Sequence, residues 1–493
     1  MKSKQFLIVS ALLLAWQVVL AKSLPSHPDK LKYPHFKVSI PDSGDYEHPL
    51  DGGNIAFIRE DHSLPLINIH LYSRAGTYAI EGHGDGLAEL TASMLRDGGT
   101  QAMTPDQLDE RLDFLATSIR VAIGNTSSSA NLDTLSRNLD ESLGLFFDVL
   151  TKPRFDAERL SVAKAKVLEG MKRRNDDTRN IEPRVWQRLL QGENFFTNAM
   201  SSKADIDAID AAAMTKASQT VFASGHLIFA ISGDINAKAI IAKLNEKLKS
   251  MPVASNLPPV PDNPKPSPPG LFAVRKADVT QSRVSIGEPG LRLGDPDQIA
   301  FAVMNQILGA GGFTSRIMSR VRSDEGLAYS AGSSFRPGIF FPGVFRAFYQ
   351  SKNPSVAYAL KIVLQEIARI RNQPVSKNEL EIAKQGMVSR LGVIFRNASG
   401  DVTRFAQDAL QHRAKDYWKT YADRVNAVTA ADVQRVAKAH LNPEQLRILV
   451  VGALAKVKPG DGSHGSLEVN AGMPLTQLPL RDPMTLEPLP LTR

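Results

Sequence analysis

A short pattern occurs twice in this sequence, each time at the same distance from a strand that ends in glycine. Asp207-Ala208-Ile209-Asp210-Ala211-Ala212 is echoed by Asn426-Ala427-Val428-Thr429-Ala430-Ala431. Asp210 and Thr429 each stand where a helix cap is expected. In both copies 23 residues separate the cap from the glycine, Gly233 or Gly452, that closes the next apolar strand. Helix order agrees as well, so the pattern predicts a duplicated α+β chain, two halves of one plan. Between the copies, Met251 to Gly270 holds eight prolines and reads as a stiff, extended linker. The expected boundaries are a leader over 1–21, halves over 30–250 and 271–455, the linker over 251–270, and a tail over 456–493. That tail is proline-rich and aperiodic, which predicts a surface wrap or a mobile end.

At 493 residues the chain is too long for one ordinary core. Its leader has Lys2 and Lys4, an apolar run from Phe6 to Leu14 and a small-residue site at Val19-Leu20-Ala21. This is the pattern of a secretory signal, and Gln17 and Lys22 leave the run too short for a membrane anchor. The expectation is an exported, periplasmic protein with no membrane association once the leader is gone. Cysteine is absent, so stability must come from core burial and not from disulfides. The net charge of +8 becomes +6 without Lys2 and Lys4. No block of lysine and arginine is interleaved with aromatics, which argues against nucleic acid as a partner.

Periodicity predicts strands at Asn54 to Arg59 and Leu66 to Ser73, then a helix from Gly86 to Leu95 stopped by Gly98-Gly99. Thr104-Pro105-Asp106-Gln107 is a capping box with proline at the first helical position. A polar, β-rich run follows from Ser118 to Leu132, and Val121 to Asn131 could offer an edge to an extended peptide. Helices are expected over 133–150 and 157–174. In the second half the expected elements are a strand at Val284 to Gly287 and a helix from Asp297 to Leu308.

The densest signal runs from Gly309 to Phe335: a glycine-rich loop (Gly309, Gly311, Gly312), a short helix capped by Thr314 or Ser315, a stop at Gly326, and a strand. At 100° per residue Thr314, Ile317, Met318 and Val321 form an apolar stripe. Arg316 and Arg320 point to the wet side, while Arg322 leans inward at the stripe's edge. An inward cation seven residues before Tyr329, which opens a strand, is a site candidate. Spacing alone also allows a structural arginine in an ion pair and a tyrosine used for packing.

Duplication, linker and the run Ser315-Arg316 through Gly326-Leu327-Ala328-Tyr329 together resemble the insulinase-type (pitrilysin-like) zinc metallopeptidases, in their processing-peptidase branch. The resemblance covers nearly all of Lys32 to Gly452. It implies two α/β-roll halves, each an antiparallel-rich sheet with helices packed on it. It also implies that Arg322 and Tyr329 hold a substrate's backbone carbonyl near the zinc site. Peptide hydrolysis develops negative charge on that oxygen, and one fixed donor stabilises it by roughly 3 kcal/mol.

The same resemblance predicts an inverted zinc motif, His-x-x-Glu-His, between Gly86-Leu87-Ala88 and Met94-Leu95. This chain reads Glu89-Leu90-Thr91-Ala92-Ser93 there. Zinc needs two imidazoles one turn apart with a carboxylate between them, and Glu89, Ala92 and Ser93 do not supply that set. The third family ligand falls at Gly170, beside Glu169. No His-x-x-x-His occurs elsewhere to rebuild the site, and serine and cysteine nucleophile signatures are missing. No bound metal is therefore expected in this chain. The expected function is that of the substrate-handling subunit of a heteromeric zinc endopeptidase: inactive alone, partnered by a subunit bearing zinc, and acting on peptides. The alternatives are a non-enzymatic scaffold of the same fold and a stand-alone peptidase with an unusual metal site.

Overall fold

A computed structural model describes His27 and residues 39–82, 84–253 and 256–491; the leader lies outside the described residues. The first half is a six-stranded sheet in the order β1-β2-β6-β3-β5-β4. Its strands are β1 (Glu47–Pro49), β2 (Ile55–Glu60), β3 (Leu66–Ser73), β4 (Ser118–Ile123), β5 (Ser128–Leu135) and β6 (Leu227–Gly233). The second sheet runs β12-β7-β11-β8-β10-β9. It is built from β7 (Gly270–Arg275), β8 (Gln281–Pro289), β9 (Ala328–Arg336), β10 (Val344–Lys352), β11 (Arg447–Gly452) and β12 (Leu475–Leu478). Five strands of each sheet share one plan. The pairs β2–β6 and β7–β11 are parallel, and every pairing onward to the edges β4 and β9 is antiparallel. The outermost strands differ: β1 lies antiparallel on β2, and β12 lies parallel on β7. The fold is thus α+β and duplicated, as the repeated pattern predicts.

The first half carries α1 (Gly84–Asp97), α2 (Pro105–Phe114), α3 (Leu139–Thr151), α4 (Ala157–Lys172), α5 (Thr178–Gln191), α6 (Ala211–Val221) and α7 (Ala237–Leu248). The second carries α8 (Gln298–Asn305), α9 (Val356–Asn372), α10 (Lys377–Ser389), α11 (Ala398–Leu410) and α12 (Ala430–His440). The caps fall where the residues put them. Thr104 and Gln107 form the reciprocal box of α2. Asp210 accepts from the Ala213 amide and Thr429 from the Asp432 amide. The glycines that close the repeated strands are contact residues. A Cβ on Gly233 would lie 2.0 Å from the Leu66 carbonyl oxygen, and one on Gly452 1.7 Å from the Ser282 hydroxyl. Asp133 to Leu135, expected to open a helix, instead finish β5, whose alternate residues are buried between β3 and β4. Strand pairing wins there, and the helix begins at Leu139.

One face of each sheet packs on helices of its own half. Phe146, Phe147, Leu90 and Met94 lie in the first core, and Phe301, Phe345, Leu360 and Val436 in the second. The opposite faces are covered by exchange. Ile181, Trp186, Leu189 and Leu190 of α5, in the first half, pack on Val274, Leu449 and Val451 of the second sheet. Val402, Phe405 and Ala406 of α11, in the second half, pack on Phe57, Ile228 and Ala230 of the first. Each exchanged helix also carries a buried acid to the other half. Glu182 accepts from Arg346 Nη2 at 2.9 and 2.8 Å and from the Ser285 hydroxyl. Asp401 pairs with Arg59. With each half completing the other's packing, the described residues from Ile40 onward form one compact unit.

The described residues of the linker form no helix or long strand, but they are tied down: the Lys265 amide donates to Gln191 and the Ser267 amide to Leu189, along the end of α5. The tail is not aperiodic. It contributes short helices at Leu454–Val457 and Leu467–Ala471, with Leu467 fully buried, and then β12. Beyond β12 it reaches the first half, where Met484 and Pro483 carbonyls accept from the Lys203 amide and from Arg174. Among the described residues no helix is long and apolar enough to cross a membrane.

Candidate functional site

The run from Gly309 to Phe335 is folded more tightly than a simple loop and helix. After α8 the chain continues as a π-helix over Gln306–Ala310, and a single α-turn at Arg316–Met318 leads into a second π-helix over Ser319–Asp324. Such wide turns recur at functional sites. Gly309 presses against β9: a Cβ there would lie 2.3 Å from the Ser333 amide nitrogen, so this glycine is fixed by packing. Thr314 and Ser315 do not cap the helix through their side chains; their hydroxyls donate back to the Gly311 and Gly312 carbonyls. Gly326 has a φ of +64°, as the stop requires.

Arg316 corrects an expectation. It is not on the wet side but buried, with Nε 2.6 Å from Glu379 Oε1 and Nη2 3.2 Å from Oε2. The stripe argument fails because the helix holds its α-winding for only three residues and α10 is docked across its start. Burial is the largest single influence on Glu379 and opposes its ionisation. The bond from Arg316 and two from Ser376 together outweigh it, and the carboxyl is held at about 2 against an ordinary 4.5. The pair therefore adds stability that is complete above pH 4.5 and is lost as pH falls through 2. Because the carboxyl is partly exposed and screened by solvent, Glu379→Gln is expected to cost about 1 kcal/mol at pH 7. In urea titrations the gap between variant and parent should close progressively below pH 4.5. A gap that stays constant down to the acid limit would refute the assignment.

Arg322 and Tyr329 do come together. The pairing of β9 with β10 skips Tyr329, since Ser330 faces Gln350 and Ala328 faces Ser351. Tyr329 is thus the extra residue of a β-bulge, a device that re-aims a side chain. Its ring is 82% exposed, on an edge strand. The guanidinium of Arg322 lies 4.5 Å from that ring and 4.7 Å from the ring of Phe313, itself 66% exposed. A guanidinium in contact with aromatic rings is attracted by their faces and still has N–H groups to offer a carbonyl or carboxylate. Phe313 was not singled out from the sequence. Its signal was legible all the same: an aromatic between glycines and hydroxyl residues has no core to join. Beside this stack a groove of about 580 Å³ follows β9 past Gly312 and Ser330, with Met318, Phe335, Trp418 and Tyr421 among its walls.

The first half offers no comparable arrangement at the lost motif. Ala92 is buried, and the Ser93 hydroxyl donates to Asp97 at 3.0 Å. Glu89 remains at the surface; its carboxyl is pushed up, first by the protein that shields it and then by Asp85, against Arg174 and Lys166. Glu169 is bound by Lys172 and Arg173, and Gly170 beside it is exposed. His62 is held by Asp234 at 2.8 Å and His70 by Asn131 at 2.9 Å. Among the described residues no three histidine, aspartate or glutamate side chains converge as metal ligands. The donor set does not fit the zinc that the resemblance implies. The expected peptide edge is also narrower than Val121 to Asn131: β4 is the edge, whereas β5 lies inside the sheet with Ser128 buried.

A duplicated α+β fold with a cation–phenol pair at one sheet edge, and with no cluster of metal-ligating side chains among its described residues, defines a peptidase-like class of protein. Residues 208–387 match the family model described as the Peptidase M16 inactive domain. The chain is 25% identical over 407 residues to a protein named non-peptidase homolog YmxG of Helicobacter pylori, covering 81% of this chain and 92% of that one. A crystal structure titled as a peptidase M16 inactive domain from Pseudomonas fluorescens matches 82% of this chain and 97% of its own, with a TM-score of 0.74 and 23% identity. The periplasmic protease PqqL of Escherichia coli matches with a TM-score of 0.68 and 14% identity, over 90% of this chain and 50% of its own. Over residues 208–387 the chain matches the M16 inactive domain, and along most of its length it is similar to proteins of that type, here without the zinc motif.

Proposed function

We propose that this protein is the substrate-handling subunit of a heteromeric, periplasmic zinc endopeptidase, supplying Arg322 and Tyr329 to a site whose metal is held by a partner of the same family. The observation that carries this reading is the exposed Phe313–Arg322–Tyr329 stack beside a groove, in a chain whose own metal helix has no ligands. Arg322 and the Tyr329 hydroxyl would donate to the scissile carbonyl oxygen as it gains charge, while the edge of β9 and the adjoining groove would receive the peptide in extended form. Export rests on the leader's composition, and a periplasmic setting agrees with the name given to the PqqL structure.

The test is peptide cleavage by the chain alone, by a zinc-motif-bearing relative alone and by the mixture. Activity is expected from the mixture, with Arg322→Ala lowering kcat by about 10²–10³-fold and KM moving less. Tyr329→Phe should lose less than Arg322→Ala. An isolated chain as active as the mixture, with one zinc per chain, would establish the stand-alone peptidase instead. An assembly whose function ignores both substitutions would establish the scaffold reading, which the name of the H. pylori relative favours.

A further inference from the structure

A second cavity, of about 600 Å³, opens between the first turn of α1, the Phe196–Asn198 turn and α5. Arg184 and Arg188 line it from one face of α5, four residues apart, and Asp85 stands across from them with Tyr78 and Asn125. The charge here is unbalanced. Arg184 donates to the Asn180 carbonyl at 2.7 Å, to Asn175 Oδ1 at 3.1 Å and to the Arg174 carbonyl, all neutral acceptors. Arg188 has Glu193 at 3.6 Å, but Arg481 holds that same carboxylate at 2.8 Å. Asp85 is engaged by the amide and hydroxyl of Ser201 at 2.8 and 2.9 Å. Burial, then repulsion from Arg174 and Arg188, pushes Arg184 down to about 10, still charged at neutral pH. A half-buried guanidinium bonded only to neutral oxygens gains most from an incoming anion, and its planar fork matches a carboxylate.

We propose that this cavity binds a carboxylate of a peptide, with Arg184 and Arg188 as its counter-charges. A peptide is favoured over a small free anion because the space exceeds what one ion fills. Its walls also mix cations with amide and phenol groups that suit backbone. The inference rests on the reading that the chain handles peptides, and it is tested without any partner.

Fluorescein-labelled octapeptides of alanine and glycine, with one internal glutamate or glutamine and with a free or amidated C-terminus, are titrated with the full chain by fluorescence anisotropy. Removing the carboxylate that the cavity reads is expected to weaken binding roughly ten- to hundredfold. The glutamine and amide arms decide between an acidic side chain and the chain terminus. Arg188→Gln should erase the discrimination, and Arg184→Gln is the second variant should the first fail to fold. Arg179→Gln, an exposed arginine paired with Asp177, should leave discrimination intact and so separates the cavity from general surface charge. This readout needs neither a partner nor cleavage, so loss of partner-dependent cleavage and loss of this site are distinct results. Equal binding of all four peptides, absence of binding, or discrimination that survives both cavity variants overturns the proposal.

Discussion

Glu182→Ala is expected to lower the unfolding free energy by about 3–5 kcal/mol, because it strands buried charge and not merely one bond. Glu182 is fully buried on α5 yet serves the second sheet, where Arg346 grips both its oxygens and Ser285 donates a third bond. Arg283 lies 4.0 Å away, with its Nε already unpartnered. Removing the carboxylate leaves two guanidinium groups facing each other in the seam between the halves. The double variant Glu182→Met with Arg346→Met should recover much of the loss, since it removes charge from both sides. Urea unfolding is the measurement, and one transition is expected because the seam belongs to both halves. A loss under 1 kcal/mol, or a first half that melts alone, would contradict the exchanged packing.

Phe405→Ala tests the mirror contact and is expected to cost about 3–5 kcal/mol, the range for truncating a buried phenylalanine. Phe405 is 4% exposed, and its ring lies 6.1 Å from Tyr46, 6.1 Å from Phe57 and 5.9 Å from Phe395. Two of those partners, Tyr46 and Phe57, belong to the first half, so the cavity opens between halves and cannot close by local collapse of α11. The urea midpoint should fall with the slope unchanged, marking a loss of stability without a change in denatured-state compactness. A variant that loses protection only within α11, with both sheets as protected as before in hydrogen exchange, would show that the helix is an appendage and not a shared wall.

Much of the plan is legible in the residues. The repeated caps at Asp210 and Thr429, the closing glycines and the strand periodicities all depend on groups close in the chain, and they appear where local chemistry puts them. The same holds for the lost metal helix, where ligand types at fixed spacing are read directly. Arg316 was misplaced because a wheel drawn at 100° assumes regular winding. Only three residues here keep it, and the partner Glu379 lies 63 residues away. Arg322 and Tyr329 were named from the sequence, but their meeting across a bulge, with Phe313 as a third member, was not derivable from seven-residue spacing.

What the sequence determined by itself is therefore the type of most elements, their duplication, and the residue types that stand where the zinc motif is expected. What only the tertiary structure decided is which helix covers which sheet, where the segment after β12 attaches, and that Arg184 is bonded to neutral oxygens. The reason is physical. Capping and periodicity are short-range and carry their partners with them. An apolar helix face such as that of α5 is satisfied equally by either sheet until the whole chain has closed.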